Sequence, residues 1–139
     1  MKNLRISLSL LLLFLLLITS CDTDDNNTLN PLIETGLIGE WEINGRGINN
    51  ISSLEALCCE TLSFLDDDNK RDLNGLYIFD EHGIITNGSF TINLDENTIN
   101  YTTENSDTST LKFTINNSVL EVWYFDNSNR NWTTYVKQN

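Results

Sequence analysis

The sequence predicts an all-β domain: an antiparallel up-and-down barrel of about eight strands with one short inserted helix. Three observations carry that reading. Beyond Leu73, short runs rich in Val, Ile, Thr, Phe, Tyr and Trp alternate apolar with polar positions, which is the period of a half-buried strand. Brief clusters of Asn, Asp, Gly and Ser separate the runs, and connections that short join only antiparallel neighbours, because a parallel crossover needs a dozen residues or more. An open meander of eight strands would leave two unpaired edges, and closure removes both.

At the N-terminus, Lys2 and Arg5 precede nine unbroken apolar residues, Leu10–Ile18. A spanning helix needs roughly 20, whereas the apolar part of a secretory leader needs roughly 7–15, so residues 1–20 read as a leader. Ile18-Thr19-Ser20-Cys21 resembles the lipobox of a bacterial lipoprotein precursor. The resemblance implies cleavage before Cys21, a diacylglycerol on its sulfur and an acylated amine, hence a membrane anchor without a span. An ordinary secretory leader followed by a free cysteine is the alternative.

Residues 21–36 are polar, hold the only proline and show no periodicity, which predicts a flexible acidic tether. Asp22, Asp24 and Asp25 resemble the acidic export signal of Bacteroidota lipoproteins, implying an outer-membrane address, with the periplasmic or surface face left open. A calcium loop starting Asp22-x-Asp24-x-Asn26 fails at positions six and twelve, which are Asn27 and Ile33 rather than Gly and Glu.

Loss of Lys2 and Arg5 with the leader leaves six basic against twenty acidic residues, a formal charge of −14 against −12 for the whole chain. A field of that sign repels phosphate backbones. The one adjacent basic pair, Lys70-Arg71, sits among Asp66, Asp67, Asp68 and Asp72. Nucleic acid is excluded as a partner, and Asp66–Asn69 reads as a solvated loop rather than a metal site.

The domain proper is expected over residues 37–139, a monomer. Leu37–Asn44 supplies the first strand. From Ile51 to Leu65, apolar residues recur every three to four, and Ser52-x-x-Glu55 fits a capping box; a short helix is expected there. Within it stand Cys58 and Cys59. Adjacent α-carbons lie about 3.8 Å apart, below the span of a relaxed disulfide. The expectation is one thiol packed as a small apolar group and one partly exposed, with a strained vicinal bridge as the alternative. Seven runs follow: Leu76–Asp80, Ile84–Asn87, Ser89–Leu94, Thr98–Thr103, Thr110–Ile115, Val119–Asp126 and Trp132–Lys137.

Gly39-Glu40-Trp41 on the first strand is the G-x-W element of the lipocalin and calycin folds, and the layout from Leu37 onward resembles the lipocalin-like domains of Bacteroidota lipoproteins. That resemblance implies that Gly39 and Trp41 help close one end of the barrel, with Arg130 lying against the tryptophan, and that the lumen takes a small hydrophobic ligand.

No constellation for turnover is legible, and neither enzymatic activity nor a cofactor is expected. His82 lies in the turn Glu81-His82-Gly83, where Gly83 supplies a positive φ. Glu121 shares a face with Trp123 and Phe125, while Leu120, Val122 and Tyr124 form the apolar face, so Glu121 is expected to meet water. The inward phase is read as Ile78, Phe90, Ile92, Leu94, Ile99, Tyr101, Leu111, Phe113, Ile115, Val122, Tyr124 and Trp132. That apolar load favours a filled or nearly filled lumen over a wide cavity, although eight strands stand at the size where either is possible. Two roles stay open: a binding module lined by Phe90, Tyr101, Phe113 and Tyr124, or a filled barrel contacting another envelope protein or glycan.

Overall fold

The computed structural model describes residues 30–54, 57–67 and 70–139. The leader, Cys21, the acidic residues Asp22, Asp24 and Asp25, and Glu55 of the expected capping box lie outside them. Nine strands form one sheet: β1 (Gly39–Ile48), β2 (Ile51–Ser52), β3 (Glu60–Asp66), β4 (Asn74–Glu81), β5 (Ile84–Asn93), β6 (Thr98–Thr103), β7 (Thr108–Asn116), β8 (Val119–Asp126) and β9 (Asn129–Lys137). Every neighbouring pair is antiparallel, and β1 pairs with β3 on one edge and β9 on the other. The result is a closed eight-strand antiparallel barrel, β1 and β3–β9, with β2 as an extra short strand on β1. Among the described residues, 30–139 hold a closed sheet with a core of its own.

Turn chemistry sets the meander. His82 and Gly83 between β4 and β5 have φ +57 and +84, and Asn127 and Ser128 between β8 and β9 have φ +47 and +75. Two consecutive positive-φ residues twist in the sense of the flanking strands, which favours tight hairpins. Asp80 accepts the Gly83 N–H at 2.7 Å.

Three segments differ from the sequence expectation. Among the described residues of 51–65 no helix is formed: Ile51–Ser52 is β2 and Glu60–Asp66 is β3, in which Glu60, Leu62 and Phe64 alternate inward. The three-to-four spacing was fortuitous, since Ile51 and Leu54 are among the most exposed apolar residues, and β1 needs a partner on its free edge for the barrel to close. The expected strands Ile84–Asn87 and Ser89–Leu94 are one strand, β5. Gly88 sits inside it because a Cβ there would lie 2.0 Å from the Thr102 carbonyl oxygen on β6, so the glycine marks a close backbone approach rather than a break. The short helix lies instead in the expected tether, as α1 (Pro31–Glu34), with Asn30 as N-cap accepting from Leu32 N at 3.0 Å.

The barrel has one plugged end. Leu32, Leu37 and Trp41 are fully buried. The indole N–H of Trp41 donates to the Leu37 carbonyl at 2.7 Å, and Asn30 Nδ2 donates to Asp66 Oδ2 and the Lys70 carbonyl, both at 3.0 Å. Above this plug Phe64 and Phe90 pack edge to face with centroids 5.1 Å apart, and Tyr77 and Tyr101 do the same at 5.0 Å. Burying each such side chain contributes about 1.5–3 kcal/mol. The opposite end, where β1, β4, β6 and β8 finish, is open, and Ile48, Ile51, Leu54, Ile84, Ile85, Tyr124 and Phe125 stand exposed there.

Candidate ligand-binding site

A bulge in β1 creates the polar part of the lumen. Trp41 and Ile43 face inward opposite Lys137 and Tyr135, and strict alternation would next turn Gly45 and Gly47 inward. The register skips at Asn44, so that Gly45 pairs with Thr134 and Arg46 with Thr133. One extra residue re-aims the strand, and Arg46 enters the barrel. Its guanidinium forms an ion pair with Glu60, the first residue of β3, whose other carboxylate oxygen accepts from the Tyr135 hydroxyl at 2.7 Å. The Glu60 side chain is 4% exposed and that of Arg46 33%. Both Glu60 oxygens are thus engaged, as a buried carboxylate requires.

Burial, and then the bond to Glu60, hold the Tyr135 phenol in its neutral form well above the ordinary tyrosine range. Burial does the same for Tyr101, with a smaller contribution from Tyr77. The Tyr101 hydroxyl is buried and, like Arg46 Nε, has no hydrogen-bond partner among the described residues.

Among the described residues, two cavities lie in the open half. One of about 380 Å³ is bounded by residues including Arg46, Ile48, Tyr124, Asn131 and Thr133 and reaches over the rim to Ser53, Trp123 and Trp132. The second, of about 280 Å³, is bounded by Leu62, Tyr77, Phe79, Thr86, Tyr101 and Ser109. Leu111, Val122 and Tyr135 line both, so the cavities are adjoining lobes. Among the described residues Arg46 is the one charged residue lining either lobe. The lumen is therefore hollow towards its mouth, against the expectation of a filled barrel. Part of the apolar load lies elsewhere: Ile78 and Leu94 are 39% and 49% exposed, and Tyr77 and Phe79 take the inward phase of β4.

Of the four residues expected to line a pocket, two do. Tyr101 faces the smaller lobe, and Tyr124 borders the larger at the rim, 50% exposed. Phe90 and Phe113 are buried in the core and border neither lobe. Arg46, Glu60 and Tyr135 are site residues that carry no signal in the sequence. Alternation in LIGEWEINGRGI gives no sign of the bulge, and Glu60 sat in the segment read as helical.

Gly39 and Trp41 stand at the plugged end, and a Cβ on Gly39 would lie 2.9 Å from Lys137 Cε. Arg130 does not lie against Trp41. Because β9 runs antiparallel to β1, its first residues reach the open end and its last residue meets Trp41. Lys137 is the cation over the indole, 5.2 Å from the ring centroid, and it donates to the Gly36 carbonyl at 2.8 Å. Arg130 instead stacks 4.5 Å from the Trp123 ring and pairs with Glu121 at 3.0 Å on the outer face. Glu121 accordingly points away from the lumen.

His82 is an exposed turn residue at the open end. Both Cys58 and Cys59 are free and exposed, contrary to the expectation that one packs inside, because they precede β3 in the rim loop rather than riding a helix. Their sulfurs lie 2.8 Å apart, and the hydrogen bond to Cys58 raises the Cys59 thiol above its usual range. Among the described residues no group of three or more His, Cys, Asp and Glu could hold a metal, and no helix is long and apolar enough to cross a membrane. The chain matches no protein-family model, no curated protein and no solved structure.

Proposed function

We propose that this chain is a non-enzymatic envelope lipoprotein of the lipocalin-like Bacteroidota type, anchored through Cys21, whose barrel takes a small hydrophobic ligand through its open end. The observation that carries the binding role is the asymmetry of the lumen: plugged by Leu32, Leu37 and Trp41 at one end, and hollow, predominantly apolar and open at the other. Ligand sites are typically concave, mostly apolar and furnished with a few placed polar groups. The lobes fit that description.

The chain enters the barrel at the plugged end, through Asn30 and α1. Eight residues separate Cys21 from Asn30, a reach of at most about 30 Å. An acyl anchor on Cys21 would hold the plugged end nearest the outer-membrane lipid and leave the mouth facing away.

Native mass spectrometry of residues 30–139 tests the binding role. A small apolar adduct that is retained by the wild type and lost on Leu111→Glu, a residue lining both lobes, is the expected result. A bare mass across several preparations counts against it. A fatty-acid probe that labels the full chain and spares Cys21→Ser tests the anchor, and equal labelling would remove it. The exposed aliphatic rim favours a second reading, in which the mouth contacts another envelope protein or glycan; a bare barrel that loses a co-purifying partner on Ile51→Asp would support it.

A further inference from the structure

The proposed ligand site carries hydrogen-bond donors that the fold leaves unused, and their chemistry narrows the ligand. Tyr101 is 7% exposed, and its hydroxyl has no partner among the described residues although the side chain borders the smaller lobe. Arg46 Nε is in the same state beside the larger lobe. Tyr135 stands between them, lining both lobes, with its own hydroxyl committed to Glu60. A buried donor without a partner costs about 1–3 kcal/mol, so an occupant that offers an acceptor gains what the fold has left unmade. A plain hydrocarbon does not.

Charge decides which acceptor. Among the described residues Arg46 is the one charged residue lining either lobe, and the Glu60 carboxylate already neutralises it. The remaining hydroxyl and amide groups besides the tyrosines, Ser53, Thr86, Ser109, Asn131 and Thr133, are neutral. An anionic head placed here would lose its hydration, meet no unpaired cation and feel the nearby Glu60 carboxylate together with a chain of formal charge −12. A neutral carbonyl carries none of those costs. We propose that the lumen selects apolar molecules bearing a neutral hydrogen-bond acceptor, a ketone, ester or amide carbonyl, received by the Tyr101 hydroxyl and by Arg46 Nε, over fatty-acid anions of the same length.

This rests on the binding role above, and the test separates the two. Residues 30–139 are loaded with the neutral fluorophore N-phenyl-1-naphthylamine and titrated at pH 8 with 2-decanone, decanoate or 1-chlorodecane, whose chains are of similar length and whose ends are a carbonyl, an anion and neither. The ketone is expected to compete about tenfold better than decanoate. Removing one hydrogen bond by Tyr101→Phe should weaken the ketone about five- to tenfold and leave 1-chlorodecane within about twofold. Decanoate competing as well as the ketone overturns the proposal, as does a Tyr101→Phe change that weakens ketone and chloride by the same factor or leaves both unchanged; either result leaves the binding role standing. Failure of the fluorophore and all three competitors to bind wild type removes the binding role, and the selectivity with it.

Discussion

Replacing Glu60 with Leu, alone and together with Arg46→Met, isolates what the buried cluster does for stability. The single change strands two groups. Tyr135 loses its only acceptor, a cost of about 1–3 kcal/mol for a buried hydroxyl. Arg46 loses its counter-charge; breaking a fully buried pair costs about 3–5 kcal/mol, but the Arg46 side chain is 33% exposed at the mouth, so solvent screens much of that. A total near 3 kcal/mol follows. Adding Arg46→Met removes the stranded charge and should return about 2 kcal/mol, leaving the unpaired Tyr135 hydroxyl as the residual. Glu60→Gln keeps an acceptor for Tyr135 but still strands the Arg46 charge, and should cost about 2 kcal/mol. Urea unfolding followed by tryptophan fluorescence reads these differences: at about 1.5 kcal/mol per molar, the single change moves the midpoint down by about 2 M and the double change recovers most of it. A Glu60→Leu protein within about 0.5 kcal/mol of wild type, or a double variant no more stable than the single one, would refute the reasoning.

Gly88→Ala forces a methyl into the Thr102 carbonyl, so β5 and β6 must part; a loss of about 3 kcal/mol in the same assay is expected, and a neutral change would mean that the strands do not approach there. Alkaline titration of phenolate absorbance should find Tyr77, Tyr101 and Tyr135 ionising above the ordinary range of about 10, since burial raises all three. Their folded pKa lies above the unfolded one, so the stability they confer is complete below pH about 10 and falls as pH rises further, when the unfolded chain sheds protons the folded one keeps; four tyrosines titrating together below pH 10.5 would contradict this. Both rim thiols are exposed, so maleimide should modify two cysteines of folded residues 30–139, with protection of either until unfolding as the contrary result.

The eight-strand count was legible in the sequence partly because two misreadings cancel. Splitting β5 at Gly88 added a strand, and reading Glu60–Asp66 as helix removed one. Both have the same physical origin, since local pattern reports the chain's own period and not what presses against it. Gly88 reads as punctuation until the Thr102 carbonyl beside it is known. Leu62 and Phe64 alternate correctly for a strand, but the polar side chain at the head of that alternation, Glu60, is buried only because Arg46 and Tyr135 meet it from two other strands. The G-x-W element located the plug, and helix propensity around Pro31 did not reveal that the presumed tether completes it. Arg130 was assigned to the wrong end for want of the strand direction that the barrel supplies.

Where the hollow lies follows from how side-chain volume is distributed along the barrel axis. A tube of eight strands is just wide enough to be filled by its own side chains or to admit one small molecule, so backbone geometry leaves the choice open and composition makes it. The plugged half receives Trp41, Phe64, Phe90, Leu32 and Leu37, and they interlock. In the open half the inward positions include Thr86, Ser109, Asn131 and Thr133, which are too small to meet across the lumen. Strict alternation in β1 would have turned Gly45 and Gly47 inward and left that wall bare. The Asn44 bulge sends Arg46 in instead, and once a guanidinium is there a carboxylate must follow, which accounts for Glu60 at a position that apolar patterning would have given to an aliphatic. The polar cluster and part of the hollow are therefore two consequences of one register shift: the same extra residue that removes a simple packed wall supplies the guanidinium that faces the space left behind.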